Sequence, residues 1–125
     1  MLKIREFTGA GGALSAVFLR QGEGALELVD GTDAIALPAG ALAAVMARYG
    51  APFDPDEPIS VVGSLVLGPG ATLRHVRHLA GYDVIARDYL VYEAAGADPL
   101  CALSATVARA LEHLAAAVVR ARSPG

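Results

Sequence analysis

Hydrophobic and polar residues alternate along the first part of the chain, which predicts strands with one buried face. Apolar and polar side chains alternate in residues 2–7. After a glycine-rich turn, residues 13–20 have apolar side chains on both faces of a predicted strand. An Asp-Gly step at 30–31 separates two further alternating runs, 25–29 and 32–37. Such a step favours a tight hairpin, because glycine accepts the positive φ of the turn. Four strands are therefore predicted before the first helix.

That helix is indicated because the spacing of the apolar residues changes from the strand period to the helical period. Pro38 suits the first helical position and Gly50 suits the end. The apolar residues between them share one stripe: Leu42, Val45, Met46 and Tyr49. The first half of the chain thus predicts four strands and a helix.

The second half predicts three strands and another helix. Residues 59–67 are rich in Ile, Val and Leu, and residues 73–79 and 82–93 are interpreted as two further strands. The spacing of apolar residues in 73–79 fits neither the strand period nor the helical period, so a bulge or a short helical turn is an alternative to a regular strand there. Asp98 and Pro99 predict the N-cap and first position of the last helix.

The last helix is predicted to reach about Arg120 and to carry a wide apolar stripe. The stripe consists of Leu100, Leu103, Val107, Leu111, Leu114 and Val118, flanked by Ala110 and Ala117. It is wider than one small sheet covers, and 54% of the chain is hydrophobic. We therefore expect a homodimer or larger homo-oligomer that associates through the helix Leu100–Val118.

Together these elements predict a single α+β domain over residues 1–121, with antiparallel sheets in the order β-β-β-β-α-β-β-β-α and a disordered tail at 122–125. The two halves are compatible with a degenerate duplication of a strand-rich unit that ends in a helix. The order of elements resembles that of the single-strand-binding modules of the Whirly, transcriptional coactivator and PUR type, in topology and without a shared motif. The resemblance implies a sheet surface that binds nucleic acid.

The composition favours a cytoplasmic protein. The longest uncharged run, residues 58–73, contains Pro69 and three glycines and is shorter than the roughly 20 apolar residues that span a bilayer. The N-terminal residues alternate where a signal peptide would be continuously apolar. The single cysteine, Cys101, cannot form an intramolecular disulfide. Nine arginines against one lysine, with abundant alanine and glycine, are typical of a bacterial genome rich in GC.

Polar chemistry concentrates in residues 72–93, and the candidate ligand-binding residues are Arg74, His75, Arg77, His78, Tyr82, Arg87 and Tyr89. On a regular strand Arg74 and His78 share one face. His75 and Arg77 share the other, so that either pair can hold a carboxylate or a phosphate through charge-assisted hydrogen bonds. The alternative is a solvated edge strand whose charges discourage pairing.

Tyrosines beside these arginines suggest a second function, the binding of single-stranded nucleic acid. They are Tyr82, Tyr89 and Tyr92, and a base stacked on an aromatic ring is typically worth about 1 to 3 kcal/mol. Asp83 and Asp88 would repel phosphates, and the formal net charge of −3 argues against nonspecific binding. An ion pair of Arg87 with an aspartate, among half-buried tyrosines, is the competing interpretation.

Catalytic and metal chemistry is less well supported. Cys101 is predicted near the amino end of the last helix, where the helix dipole lowers a thiol pKa, but a small buried thiol is usually structural. Two histidines three residues apart on a strand project to opposite faces, which disfavours a metal site. Residues 9–12 lack the third glycine of a dinucleotide fingerprint.

We therefore expect a small cytoplasmic bacterial protein that binds a protein partner or a small anionic ligand, with no cofactor. No spacing in the sequence sets up an acid/base or nucleophile/base pair, so catalysis is disfavoured. Arg74, Arg77 and Arg87 are expected to face the ligand.

Overall fold

Two antiparallel sheets and two helices form the part of the chain that this computed structural model describes, residues 1–78 and 87–122. The first sheet contains, side by side, β1 (Leu2–Thr8), β2 (Leu14–Gln21), β3 (Leu26–Asp30) and β4 (Asp33–Ala36). The second contains, from one edge to the other, β5 (Ala51–Pro52), β9 (Leu100–Leu103), β8 (Asp88–Ala94), β7 (Ala71–His78) and β6 (Ile59–Val66). The helices are α1 (Ala41–Tyr49) and α2 (Ser104–Arg122), and a 3-10 turn (Ala10–Gly12) joins β1 to β2.

The predicted α+β class and the order of the main elements are confirmed, with two short strands added, β5 and β9. The hairpin predicted at 30–31 is present: Asp30 pairs with Asp33, and Gly31 has a φ of +63°. The irregularity predicted within 73–79 lies in the neighbouring strand instead, since the register shift falls between Val61 and Gly63 of β6.

Both predicted helix starts are wrong. The first helix begins at Ala41 rather than Pro38, after Gly40 in a left-handed conformation. The second begins at Ser104, because residues 100–103 pair with β8 as strand β9 instead of forming a helical turn. At its other end α2 includes Arg122, which had been predicted to lie in the tail; residues 123–125 lie outside the described residues.

The hydrophobic core lies where α2 contacts α1 and strands of both sheets. Val107, Ala108, Leu111 and Ala115 form the buried face of α2. Much of the stripe predicted to join subunits is therefore used inside the chain. Within the described residues, neither helix combines the length and the apolarity needed to cross a membrane.

Candidate functional site

Strand β7 divides the predicted site residues between the two faces of the second sheet. Its alternation is regular: Leu73, His75 and Arg77 share the face that meets the core, where they oppose Tyr92, Leu90 and Asp88 of β8, respectively. Arg74 and His78 share the opposite face. The two pairs therefore contribute to different surfaces.

Asp88 joins the two basic residues of the core-facing side. It lies directly opposite Arg77 in the ladder, and Arg77 Nε donates a hydrogen bond to its Oδ1 at 3.0 Å. Its Oδ2 lies 3.0 Å from Nε2 of His75. Burial by itself raises the pKa of Asp88, but the hydrogen bond from Arg77 and the nearby His75 outweigh burial and bring the pKa below its ordinary value. Asp88 thus stays ionised between Arg77 and His75 and makes no ion pair with Arg87, while Asp83, the other aspartate considered as a partner for Arg87, lies outside the described residues.

His75 is a buried polar side chain whose ring nitrogen lacks an aligned hydrogen bond. The residue is 5% exposed. Although Asp88 Oδ2 is close to Nε2, the geometry is not that of a directed hydrogen bond, and Nε2 has no other partner among the described residues. The nearby carboxylate of Asp88 compensates part of the cost of burying the imidazole ring.

Above this group lies a cleft of about 410 Å³ between β1, the ends of β7 and β8, and the start of α2. The polar and charged residues that line it are Lys3, Arg5, Glu6, His75, Arg77, Arg87, Asp88 and Ser104. Four basic side chains therefore face two acidic ones. We call this site the basic cleft.

The start of α2 is fixed at the wall of the basic cleft by Ser104. Its buried hydroxyl donates a hydrogen bond to the backbone oxygen of Ile4 on β1. No acidic residue occupies the first turn of α2. A helix start carries free backbone N–H groups and the positive end of the helix dipole, and both favour a bound negative charge.

The basic side chains of the cleft differ in how far their charge is already neutralised. Lys3 pairs with Glu6 at 2.7 Å, and Arg5 pairs with Glu112 of α2 at 2.7 Å. Arg87 is exposed and makes no side-chain ion pair with any described residue. Its backbone oxygen accepts a hydrogen bond from the N–H of His78, which holds it at the end of the β7–β8 ladder. Arg87 is therefore the cation most available to a ligand.

The opposite face of the sheet carries the remaining described candidates, and the two basic ones are paired with acids. Arg74 forms an ion pair with Glu93. His78 Nε2 lies 3.6 Å from Glu57 Oε1, and its ring meets that of Tyr89 edge-on at 6.3 Å. Of the predicted residues, the structure brings His75, Arg77 and Arg87 into one cleft, and places Arg74, His78 and Tyr89 elsewhere; Tyr82 lies outside the described residues.

Lys3, Arg5 and Ser104 belong to the cleft but were not predicted from the sequence. Lys3 and Arg5 lie 74 and 72 positions before Arg77, and Ser104 lies 27 positions after it. The only local signal was the charged side of the alternating strand at 2–7, which we interpreted as a solvated face.

Cys101 lies on β9, so the predicted effect of a helix dipole on its thiol is wrong. It borders a cavity of about 260 Å³ together with His78, Tyr89 and Glu57. Burial raises the pKa of the Cys101 thiol, and the nearby Glu57 raises it further. The thiol is therefore protonated at neutral pH, which disfavours a nucleophilic role. Among the described residues, no three His, Cys, Asp or Glu side chains converge as metal ligands.

A third cavity, of about 400 Å³, gives a useful contrast with the basic cleft. It lies between the connection from β2 to β3, the segment 37–43 that leads into α1 and the 67–71 turn. Its lining is mostly leucine, alanine, proline and glycine, with Gln21 and Tyr92, and contains no charged residue. Two cavities of equal volume thus differ completely in charge, which singles out the basic cleft.

No protein-family model, no curated protein and no solved structure matches this chain.

Proposed function

We propose that this protein is a cytoplasmic bacterial binding module, without catalytic activity, that holds a small anion in the basic cleft. The observation that carries the proposal is the excess of basic side chains in the wall of the cleft, where Arg87 is exposed and makes no ion pair with any described residue.

The charges of the wall restrict the ligand. Arg87 supplies an available guanidinium, and the start of α2 supplies a second positive region opposite. Asp88 and Glu6 in the same wall repel a highly charged anion, so a ligand with one carboxylate or phosphate is favoured. A hydroxyl or amine on that ligand would in addition donate to Asp88. A volume of about 410 Å³ lies within the usual range for small-molecule sites.

The proposal predicts saturable binding that depends on Arg87. Isothermal titration with inorganic phosphate and with lactate, each up to about 20 mM, should show binding of at least one of them at a dissociation constant near or below the millimolar range. Arg87→Ala should weaken it about tenfold, because a charge-assisted hydrogen bond is worth about 1.5 kcal/mol or more.

Arg120→Ala is the matched control, since this exposed arginine near the end of α2 does not line the cleft. It removes the same charge and should leave binding unchanged. An equal loss in both variants would mean that only overall charge matters, and no binding of either anion to the wild-type protein would contradict the proposal.

A further inference from the structure

Strand β6 is an open edge of the second sheet. It is the last strand in that sheet and pairs with β7 alone among the described residues. Five of its eight residues are exposed, and the exposed apolar side chains are Val61, Val62 and Val66. β1 packs near its inner face, where Leu2 fits against Gly63, and no described strand or helix pairs along its outer edge.

The edge lacks most of the devices that keep strands from pairing between molecules. Proteins commonly protect such edges with charged side chains, proline, bulges or a covering element. Residues 59–66 contain no charged residue and no proline, and the uncharged run extends from 58 to 73. The one protective device is the bulge between Val61 and Gly63.

We propose that β6 pairs antiparallel with β6 of a second copy of this chain, so that the two five-stranded sheets become one continuous sheet across the dimer. Antiparallel pairing of identical strands is symmetric, and it gives the closed two-fold interface that most homodimers use. It also satisfies the outward N–H and C=O groups of each strand. This proposal does not depend on anion binding, although Val62 of β6 also borders the basic cleft.

A second copy fits this edge because the strand is neutral. In a two-fold antiparallel pairing centred near Gly63 and Ser64, Val61 of one copy lies opposite Val66 of the other, and a charge near the centre of β6 would lie close to the identical charge of the other copy. Val61 and Val66 lie on one face of the strand, opposite Val76 and Thr72 of β7, and are 50% and 73% exposed. Pairing brings these β-branched side chains together with those of the other copy, an arrangement favoured across strands.

The dimer should be weak. Eight residues extend for about 27 Å, and one pair of strands lies at the low end of specific interface areas, below about 1,200 Å². The bulge adds twist and shortens the length that can pair. We therefore expect a dissociation constant in the micromolar range, near about 10 to 100 μM.

Sedimentation velocity from about 1 to about 300 μM tests the association, with Ser64→Glu as the variant. Ser64 is exposed on β6 opposite Arg74, so a glutamate there suits the monomer but opposes its own copy in the dimer. The variant should dimerise at least about tenfold more weakly, with an unchanged circular dichroism melting curve. Ala117→Glu is the matched control, because it adds the same charge to an exposed position on α2 and should leave dimerisation unchanged.

Hydrogen exchange at the two ends of that concentration range identifies the interface. Alternate amides of β6 should gain protection at high concentration, as expected when an edge strand acquires a partner. Loss of the dimer in Ala117→Glu but not in Ser64→Glu would place the contact on α2 and overturn the proposal. A monomer at 300 μM, or a dimer in which β6 exchange does not depend on concentration, would overturn it as well.

Discussion

Asp88 is the residue on which the charges of the basic cleft converge. It holds the side chain of Arg77 through Nε and lies beside the buried ring of His75. The carboxylate that His75 and Arg77 were expected to take from a ligand is thus supplied by the chain itself. This arrangement orients both basic groups at the floor of the cleft, where Arg87 makes no ion pair with any described residue.

Asp88 should also make the stability of the fold depend on pH. Its pKa is lower in the folded protein, so the ionised carboxylate contributes stability above its unfolded pKa of about 3.9, and this contribution is lost as the pH falls through the folded value. At pH 7, Asp88→Asn should lower the free energy of unfolding by about 1 kcal/mol, a small value because the pair is partly exposed to solvent. The difference from wild type should shrink steadily as the pH falls below this unfolded value.

Urea unfolding at pH 7, 4 and 2 measures this effect. Asp98→Asn is the control, since Asp98 is exposed and makes no ion pair with any described residue. It should cost little at each pH. A deficit of Asp88→Asn that stays constant down to pH 2 would show that hydrogen-bond geometry, and not the charge of Asp88, stabilises the cluster.

At the scale of the element, α2 organises the molecule. It contacts α1 and strands of both sheets, and Ser104 ties its first residue to β1. β9 precedes it without a loop, so the direction of α2 is set by a strand in the second sheet. The start of the helix is therefore held at the basic cleft from two sides.

The end of α1 provides a test at the same scale. The N–H of Gly50 donates to the backbone oxygen of Met46 at 2.8 Å, and a Cβ at Gly50 would collide with that oxygen and crowd Leu100. Gly50→Ala should therefore cost about 1 to 3 kcal/mol of unfolding free energy.

Gly68→Ala is the matched control for this test. Gly68 has open space around its Cβ position and no positive φ, so its substitution should be neutral or stabilise the fold by up to about 1 kcal/mol. Equilibrium urea unfolding compares the two. Equal stability of both variants would mean that the turn after α1 relaxes to accept the extra methyl group.

At the scale of the whole molecule, the distribution of charge matters more than its sum. The chain has a formal net charge of −3, yet its basic cleft has an excess of basic side chains. Outside the cleft, the arginine on the opposite face of the second sheet, Arg74, is already paired with Glu93. A small anion would contact only the local excess of positive charge in the basic cleft. A nucleic acid would contact the whole surface, whose net charge is negative.

This distribution predicts little affinity for single-stranded nucleic acid, the function implied by the likeness of element order to single-strand-binding modules. A labelled oligonucleotide titrated at low salt should show no saturable binding up to about 50 μM protein, since nonspecific affinity depends on neutralising several phosphates. Binding that falls with added salt, and that Arg74→Ala weakens, would instead support a nucleic-acid function for the opposite face.

The sequence by itself determined the local structure. The alternation of apolar and polar residues and the Asp-Gly step were sufficient to predict the first four strands and their hairpin. The apolar stripes with helical spacing were sufficient to predict that α1 and α2 exist. These features depend on neighbours a few residues apart, so the pattern contains them. Within the site, alternation also separated Arg74 and His78 from His75 and Arg77 correctly.

Only the tertiary structure decided what depends on distant partners. Residues 100–103 come directly after Asp98 and Pro99, a typical start of a helix. They nevertheless form β9, because the edge of β8 offers hydrogen bonds that a helical turn would have to replace. The basic cleft likewise needs Lys3 and Ser104 beside Arg77, and pairing register and the packing of α2 bring them together. No spacing along the chain encodes such contacts, because they are set by which strands pair and how the helix crosses them.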